Sequence, residues 1–516
     1  VFDKRQYLRN AVANQGAFVV SVVAALILSP LVVKALGDES YGYWTLVMSL
    51  TSYYSFIDLG IRSAVTQYVA RYLAAKDPEN LARTINTSLA VLSGIAVFIS
   101  LVAAGLAVLF PRFFDVDPSQ WAGLRTAVVV CGVSMAIRFP TGVFHAVITG
   151  NQRWDIFGFV QIGIRVLNAL LVVAAVKLGY SLVGLAVVTL ASQLVETAVM
   201  FAYAKRMTPD IPYRVASFDA ESFRRIRNYG LYSFVIHICE QIIFYTDNFV
   251  VGGALGAVAV TYYAIGSNLI PYMDNLVLAM SAQLQQVAVG YDTRKEEGAM
   301  RSLLLMGSRY LFALTCLIFA NIAVVGPDFL GAWMGEKYVS GEGLGMSGRV
   351  LLILAAAHLF HNLPTVARQI MFGMQKNNLL AATAAIDAVL NLVLSLILVR
   401  LAGPWGGLTG VAIGTALPMF LLSGVAVPLI ACRLVGARPS DFLRIAVVPN
   451  LAVTALSAGL GWAGLRASGL DGWAGVVGGA VLTSVLHGIL SWFLVLGPEI
   501  RERFLSAVRA KLGAKT

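Results

Sequence analysis

Long apolar runs, broken by short polar intervals, repeat from one end of this chain to the other. About 20 apolar residues in a helix suffice to cross the hydrocarbon of a bilayer, and the pattern meets that length many times. It predicts helices near 11–36, 41–73, 83–110, 121–149, 154–178, 182–204, 228–253, 257–290, 301–325, 349–373, 378–401, 408–433, 443–465 and 473–497. Helix is the expected form because backbone N–H and C=O groups find no water inside the membrane. No small-residue cleavage site precedes the first run, which therefore reads as a transmembrane helix and not as a removable signal peptide.

The polar intervals give a direction. With the N-terminus placed in the cytoplasm, 25 of the 38 Lys and Arg residues fall on the cytoplasmic side, the bias expected of inward-facing loops. Both termini are then cytoplasmic. The longest polar stretch, "KRMTPDIPYRVASFDAESFRRIRN" (205–228), carries two prolines and six basic residues and reads as a cytoplasmic connection between halves. The tail "PEIRERFLSAVRAKLGAKT" has the pattern of a basic amphipathic surface helix.

Composition narrows the class. The 516 residues are 58% hydrophobic and 13% charged, with a mean hydropathy of +0.77, which excludes a water-soluble domain. The net charge of +11 follows from the loop bias, and no basic–aromatic surface module points to nucleic acid. Cys131, Cys239, Cys316 and Cys432 stand singly within apolar runs, without the spacing of disulfide or zinc frameworks. No HExxH, phosphate loop or nucleophile–base set is present, so an enzyme is not expected.

The chain also repeats itself. "FPTGVFHAVITGNQRW" (139–154) matches "LPTVARQIMFGMQKN" (363–377), and "VLNALLVVAAVKLG" (166–179) matches "VLNLVLSLILVRLA" (389–402), with Gly150 and Gly373, and Asn168 and Asn391, each 223 positions apart. "LGDESYGYW" (36–44) pairs with "LGAVAVTYY" (255–263) at 219. The expected organisation is a six-helix lobe over 1–205, a linker over 206–227, a second six-helix lobe over 228–433, and two further helices with a basic tail over 434–516. The repeats run in the same sense, as in secondary transporters whose site lies between two halves.

"ILSPLVVKALGDESYGYWTLVMSLTSYYSFIDLGIRSAVTQYVARYLA" (27–74), "GNQRW" (150–154) and "FLGAWMGEKYV" (329–339) resemble the polysaccharide transporter, or Wzx-like flippase, branch of the multidrug/oligosaccharidyl-lipid/polysaccharide exporter superfamily. The resemblance covers the first 433 residues well and is less distinctive over the last two helices. It implies an all-α polytopic fold of about fourteen transmembrane helices, in two pseudo-symmetric bundles plus a C-terminal pair. It further implies a monomer in the bacterial cytoplasmic membrane. Such a protein would flip undecaprenyl-pyrophosphate-linked oligosaccharides outward by alternating access, for a polysaccharide polymerase making O-antigen, capsule or exopolysaccharide.

Charges at midplane depth are costly and point to function. In the first half Asp58 and Arg62 stand four residues apart on one helical face, with Arg138 and Arg165 further on. The three arginines are candidate pyrophosphate ligands, since a guanidinium stays charged and forks onto phosphate oxygens. Gln161, Arg165 and Asn168 share a face suited to sugar hydroxyls. The competing reading of Asp58 and Arg62 is a self-neutralising structural pair. In the second half His237, Glu240 and Asp247 share a face, and Asp387 and Asn391 are one turn apart. Some superfamily members hold a cation on the seventh, eleventh and twelfth helices. The candidates here are Glu240, Asp247, Asp387, Asn391 and Thr415, for Na⁺ or H⁺ as coupling ion and with no other cofactor or metal. Alternatively these acids pair with His358, His361 or Arg368. A cation-coupled drug exporter, a lipid II flippase and a non-transporting scaffold are the other functions in play. The arginines count against the first. For the second, residues 16–33 lack the arginine expected in the first helix.

Overall fold

The computed structural model describes residues 4–54, 61–114, 116–215, 217–227, 231–281, 283–339, 346–401, 403–498, 501–502 and 506. Among them all regular structure is helical, and eleven helices are long and apolar enough to cross a membrane. Helix α1 (Lys4–Tyr53) is two helices joined at Gly37, whose φ of 76° interrupts the helical run. There follow α2 (Ile61–Ala74), α3 (Pro78–Phe113), α4 (Trp121–Gly150), α5 (Trp154–Lys177) and α6 (Leu182–Met207). A short amphipathic α7 (Ala220–Arg227) leads to α8 (Leu231–Leu255).

The eighth expected crossing is divided among α9 (Ala257–Ser267), α10 (Ile270–Ser281) and α11 (Leu284–Thr293). Helix α12 (Glu297–Ser302) continues through a π-helical turn, Leu303–Gly307, into α13 (Ser308–Met334). Helices α14 (Met346–Asn362) and α15 (Thr365–Gly373) are separated at Leu363–Pro364, where proline removes a backbone donor. The chain then forms α16 (Asn377–Leu401), α17 (Gly403–Met419) and α18 (Val427–Leu434), the last two joined by a π-helical stretch. It ends with α19 (Pro439–Phe442), α20 (Val448–Ser468) and α21 (Gly472–Leu494). Each of the fourteen expected crossings coincides with helix in the described residues.

Local chemistry sets the boundaries. Asp77 precedes Pro78 and accepts hydrogen bonds from the Asn80 side chain (2.6 Å) and backbone N–H (3.1 Å), capping α3. Those bonds hold its carboxyl below the ordinary value. The repeat is visible in the backbone as well. Gly37 and Gly256 both have positive φ (76° and 85°), as do Lys76 and Lys295 (53° and 54°) and Gln152 and Gln375 (61° and 57°). These pairs are 219, 219 and 223 positions apart, the spacings of the matched sequence segments.

The chain forms two compact units, Val1–Thr261 and Tyr262–Thr516. In the first, Val65, Val69, Ile85, Leu92, Phe139, Val143, Ile148 and Met200 build a core among α2, α3, α4 and α6. Helices α1 and α5 approach closely at Gly158, where an added Cβ would stand 2.7 Å from the Cβ of Ala13 and 2.9 Å from its carbonyl carbon. Small residues permit such approaches between membrane helices. Helix α8 also packs in this unit, through Tyr53 with Thr246 and through Asn248 Nδ2, which donates to Ser49 Oγ at 2.9 Å. The polar connection after α6 is pinned to α3, because Asn86 Oδ1 accepts from Arg214 N (2.9 Å) and Thr87 Oγ1 from Asp219 N (3.0 Å). In the second unit α20 and α21 pack on α13 through Val324, Val325, Leu465 and Val476. Large apolar side chains such as Phe98, Leu101, Leu170, Val477 and Val481 remain exposed, as surfaces in contact with lipid tails require.

Candidate functional site

Polar side chains of the first unit gather where α4, α5 and α6 meet. Gln161 Nε2 on α5 donates to Glu196 Oε1 on α6 at 2.7 Å, and His145 Nε2 on α4 stands 3.2 Å from the same oxygen. Asn168 Nδ2 donates to Ser192 Oγ at 3.1 Å. Glu196 and Ser192 are buried, so the carboxylate is sustained by these partners and not by water. Arg138 lies two turns from His145 on the same face of α4, and its charge acts on Glu196. Arg138 is exposed.

Arg165 is exposed as well, with no ion pair or hydrogen bond among the described residues. At about 100° per residue, it shares a face with Gln161 and Asn168. The exposed apolar residues Phe159, Val166 and Leu170 lie roughly 100–180° around the helix from that face. The guanidinium therefore projects on the polar side of α5, away from the side dressed for lipid.

The other expected ligands of this half are placed less fully. Asp58 lies outside the described residues; Arg62 is the second residue of α2, and its side chain lies outside them too. On α8, His237 Nδ1 is 3.3 Å from Glu240 Oε2. Asp247, two turns on, is buried.

Two polar groups of the second unit bear on the remaining candidates. On α16 and α17, Asn391 Nδ2 donates to Thr415 Oγ1 at 2.9 Å. Asp387, Asn391 and Thr415 are all buried, and among the described residues Asp387 Oδ1 and Asn391 Oδ1 accept no hydrogen bond. Two neighbouring oxygens left without donors are the chemistry a small hard cation or a proton would satisfy. On α10 and α14, His358 Nδ1 is 2.8 Å from Asp274 Oδ2, while Asn362 Nδ2 donates to Asp274 Oδ1 at 2.6 Å. Arg368 Nη2 donates to His361 O at 2.6 Å, and its charge acts on Asp387. His358, one of the partners considered for these acids, thus contacts Asp274, and its charge also acts on Asp387. Among the described residues no group of three or more His, Cys, Asp or Glu side chains could hold a metal ion.

Sequence reasoning did not find His145, although its seven-residue spacing from Arg138 put it on the same helical face. It also missed Asp155, which is completely buried beside Arg9 and Arg153.

Known proteins resemble the chain along most of its length. A family model described as "polysaccharide biosynthesis protein" matches residues 31–341. The "uncharacterized membrane protein EpsK" of Bacillus subtilis is 25% identical over 520 residues, covering 98% of each chain. A "putative O-antigen transporter" of Shigella flexneri is 22% identical, over 80% of this chain and 96% of its own. Among solved structures, an inward-facing multidrug transporter of the MATE family superimposes with a TM-score of 0.70 at 18% identity, over 80% of this chain and 95% of its own. The lipid II flippase MurJ does so with a TM-score of 0.68 at 11% identity, over 94% and 98%. The fold is therefore that of the exporter superfamily named above, and the chain belongs to the polysaccharide biosynthesis protein family of multi-pass membrane proteins.

Proposed function

We propose that this protein is a flippase for undecaprenyl-pyrophosphate-linked oligosaccharide, moved from the inner to the outer leaflet of the bacterial cytoplasmic membrane by alternating access. The observation that carries the proposal is the polar face of α4 and α5. Arg138 and Arg165 are exposed there, and the Gln161 and Asn168 amides on α5 are held by Glu196 and Ser192. The arginines bind the pyrophosphate, and the stripe of Gln161 and Asn168 meets the sugars. A cation-coupled drug exporter would need the opposite, an acidic substrate face. The names of the Shigella relative and of MurJ fit a lipid-linked glycan as cargo. The protein works as a monomer with both termini in the cytoplasm and delivers its cargo to a polymerase.

Flipping a pyrophosphate moves roughly two negative charges outward, and an inside-negative potential favours this by about 2.3 kcal/mol per charge per 100 mV. Voltage then drives the loaded step, and a Na⁺ or H⁺ need only reset the empty carrier. Asp387, Asn391 and Thr415 hold that ion. Depletion of the protein, followed by mass spectrometry of undecaprenyl-linked glycans, tests the central reading. A pyrophosphate-linked repeat unit should accumulate facing the cytoplasm. Unchanged glycan pools with arrested export of a drug-like cation would falsify it.

A further inference from the structure

The opposite side of α5 carries a feature that cargo transport does not use. A groove of about 590 Å³ runs between α5 and α6, walled by Phe159, Val160, Gly163, Leu167, Val195 and Val199. Its lining on α5 extends over 156–167, about 17 Å of helix, or roughly half of a 30 Å hydrocarbon core. That is the depth of one leaflet.

One end of the groove is charged. Asp155, completely buried, lies 3.1 Å from Arg9 Nη2 and accepts from Arg153 Nε at 3.0 Å and Nη2 at 3.2 Å. The carboxylate fixes both guanidiniums at the mouth, and their side chains remain 59% and 41% exposed. Two guanidiniums and one carboxylate leave a single net positive charge, with N–H donors to spare. The Arg153 guanidinium is pushed to hold its proton more tightly by its hydrogen bond to Asp155, so the charge is permanent.

We infer that this groove is a binding site for an anionic glycerophospholipid, its phosphodiester on Arg9 and Arg153 and one acyl chain between α5 and α6. One negative charge matches the site; a pyrophosphate would leave a charge unbalanced. The groove also faces away from Gln161, Arg165 and Asn168, so a cargo headgroup on that face cannot share it. The inference stands independently of the cargo assignment.

Gly163 supplies a clean probe, because a Cβ added there meets nothing within 4 Å. Purified protein would be given equimolar phosphatidylglycerol and phosphatidylcholine, and retained lipid measured by native mass spectrometry. Phosphatidylglycerol should be retained about fivefold more, the preference of roughly one basic side chain near an anionic headgroup. Arg9→Gln should remove most of that preference, with Arg153 still holding Asp155. Gly163→Phe should reduce retention of both lipids by filling the groove, and Gly163→Ile serves if the larger side chain impairs folding. Equal retention of the two lipids by the wild type overturns the inference, as does full retention in both Gly163 variants. Displacement of phosphatidylglycerol by equimolar undecaprenyl phosphate overturns it too, and assigns the groove to a prenyl chain.

Discussion

Arg165 offers the sharpest test of the pyrophosphate reading, because its truncation separates binding from folding. The side chain is exposed and makes no ion pair or hydrogen bond among the described residues. Replacing it by alanine leaves no buried group unpaired, and surface changes of that kind alter stability by about 0.5 kcal/mol or less. If the guanidinium binds pyrophosphate, alanine forfeits charge-assisted hydrogen bonds worth about 1.5–3 kcal/mol. That loss corresponds to roughly a 10- to 150-fold rise in the cargo concentration for half-maximal transport. Lysine keeps the charge and loses the fork, so Arg165→Lys should fall between the two. The assay is translocation of a fluorescent, short-chain pyrophosphate-linked glycan in proteoliposomes, with melting temperature read on the same preparations. A half-saturation concentration within twofold of wild type, at unchanged melting temperature, refutes Arg165 as a ligand.

Three further outcomes are expected. Asp387→Asn should abolish the dependence of transport on a Na⁺ or H⁺ gradient at fixed voltage; if wild type and variant both follow voltage alone, these carboxylates do not couple. Gly158→Val should destabilise by about 1–3 kcal/mol through overpacking against Ala13, read as a lower melting temperature, whereas Gly163→Val on the same helix should be nearly silent; equal effects would refute the assigned approach of α1 to α5. A reporter fused after Thr516 should be active only in the cytoplasm, and periplasmic activity would overturn the orientation.

The crossings were legible because hydropathy alone sets them, and the polar intervals mark their ends. The repeat was legible too, and the same spacings reappear in the left-handed residues of the loops. What a helix does within its crossing was less so. Pro271, at the second position of α10, marks the division of the eighth crossing at Asn268–Leu269, as Pro364 marks the break after α14, whereas the division between α10 and α11 has no such marker. Partner choice was hidden most. Glu196 selects His145 and Gln161, and Asp274 selects His358, according to how neighbouring helices are rotated. Rotation depends on packing across the bundle, which no single helix encodes. Arg9 and Arg153 counted in the sequence as loop charges that set orientation; that they enclose a buried Asp155 depends on the approach of α1 to α5.

The paired left-handed turns bear on how this chain can change over time. Lys76, Gln152, Lys295 and Gln375 adopt a conformation that L-residues other than asparagine and aspartate rarely hold, at a cost of roughly 1–2 kcal/mol each. Gly37 and Gly256 hold similar φ values without that cost. A saturation-mutagenesis map should therefore be self-similar: β-branched residues rejected and glycine tolerated at one loop, and the same pattern 219 or 223 positions later. The duplication would then survive as a shared grammar of permitted substitutions, readable even where the two copies no longer share letters.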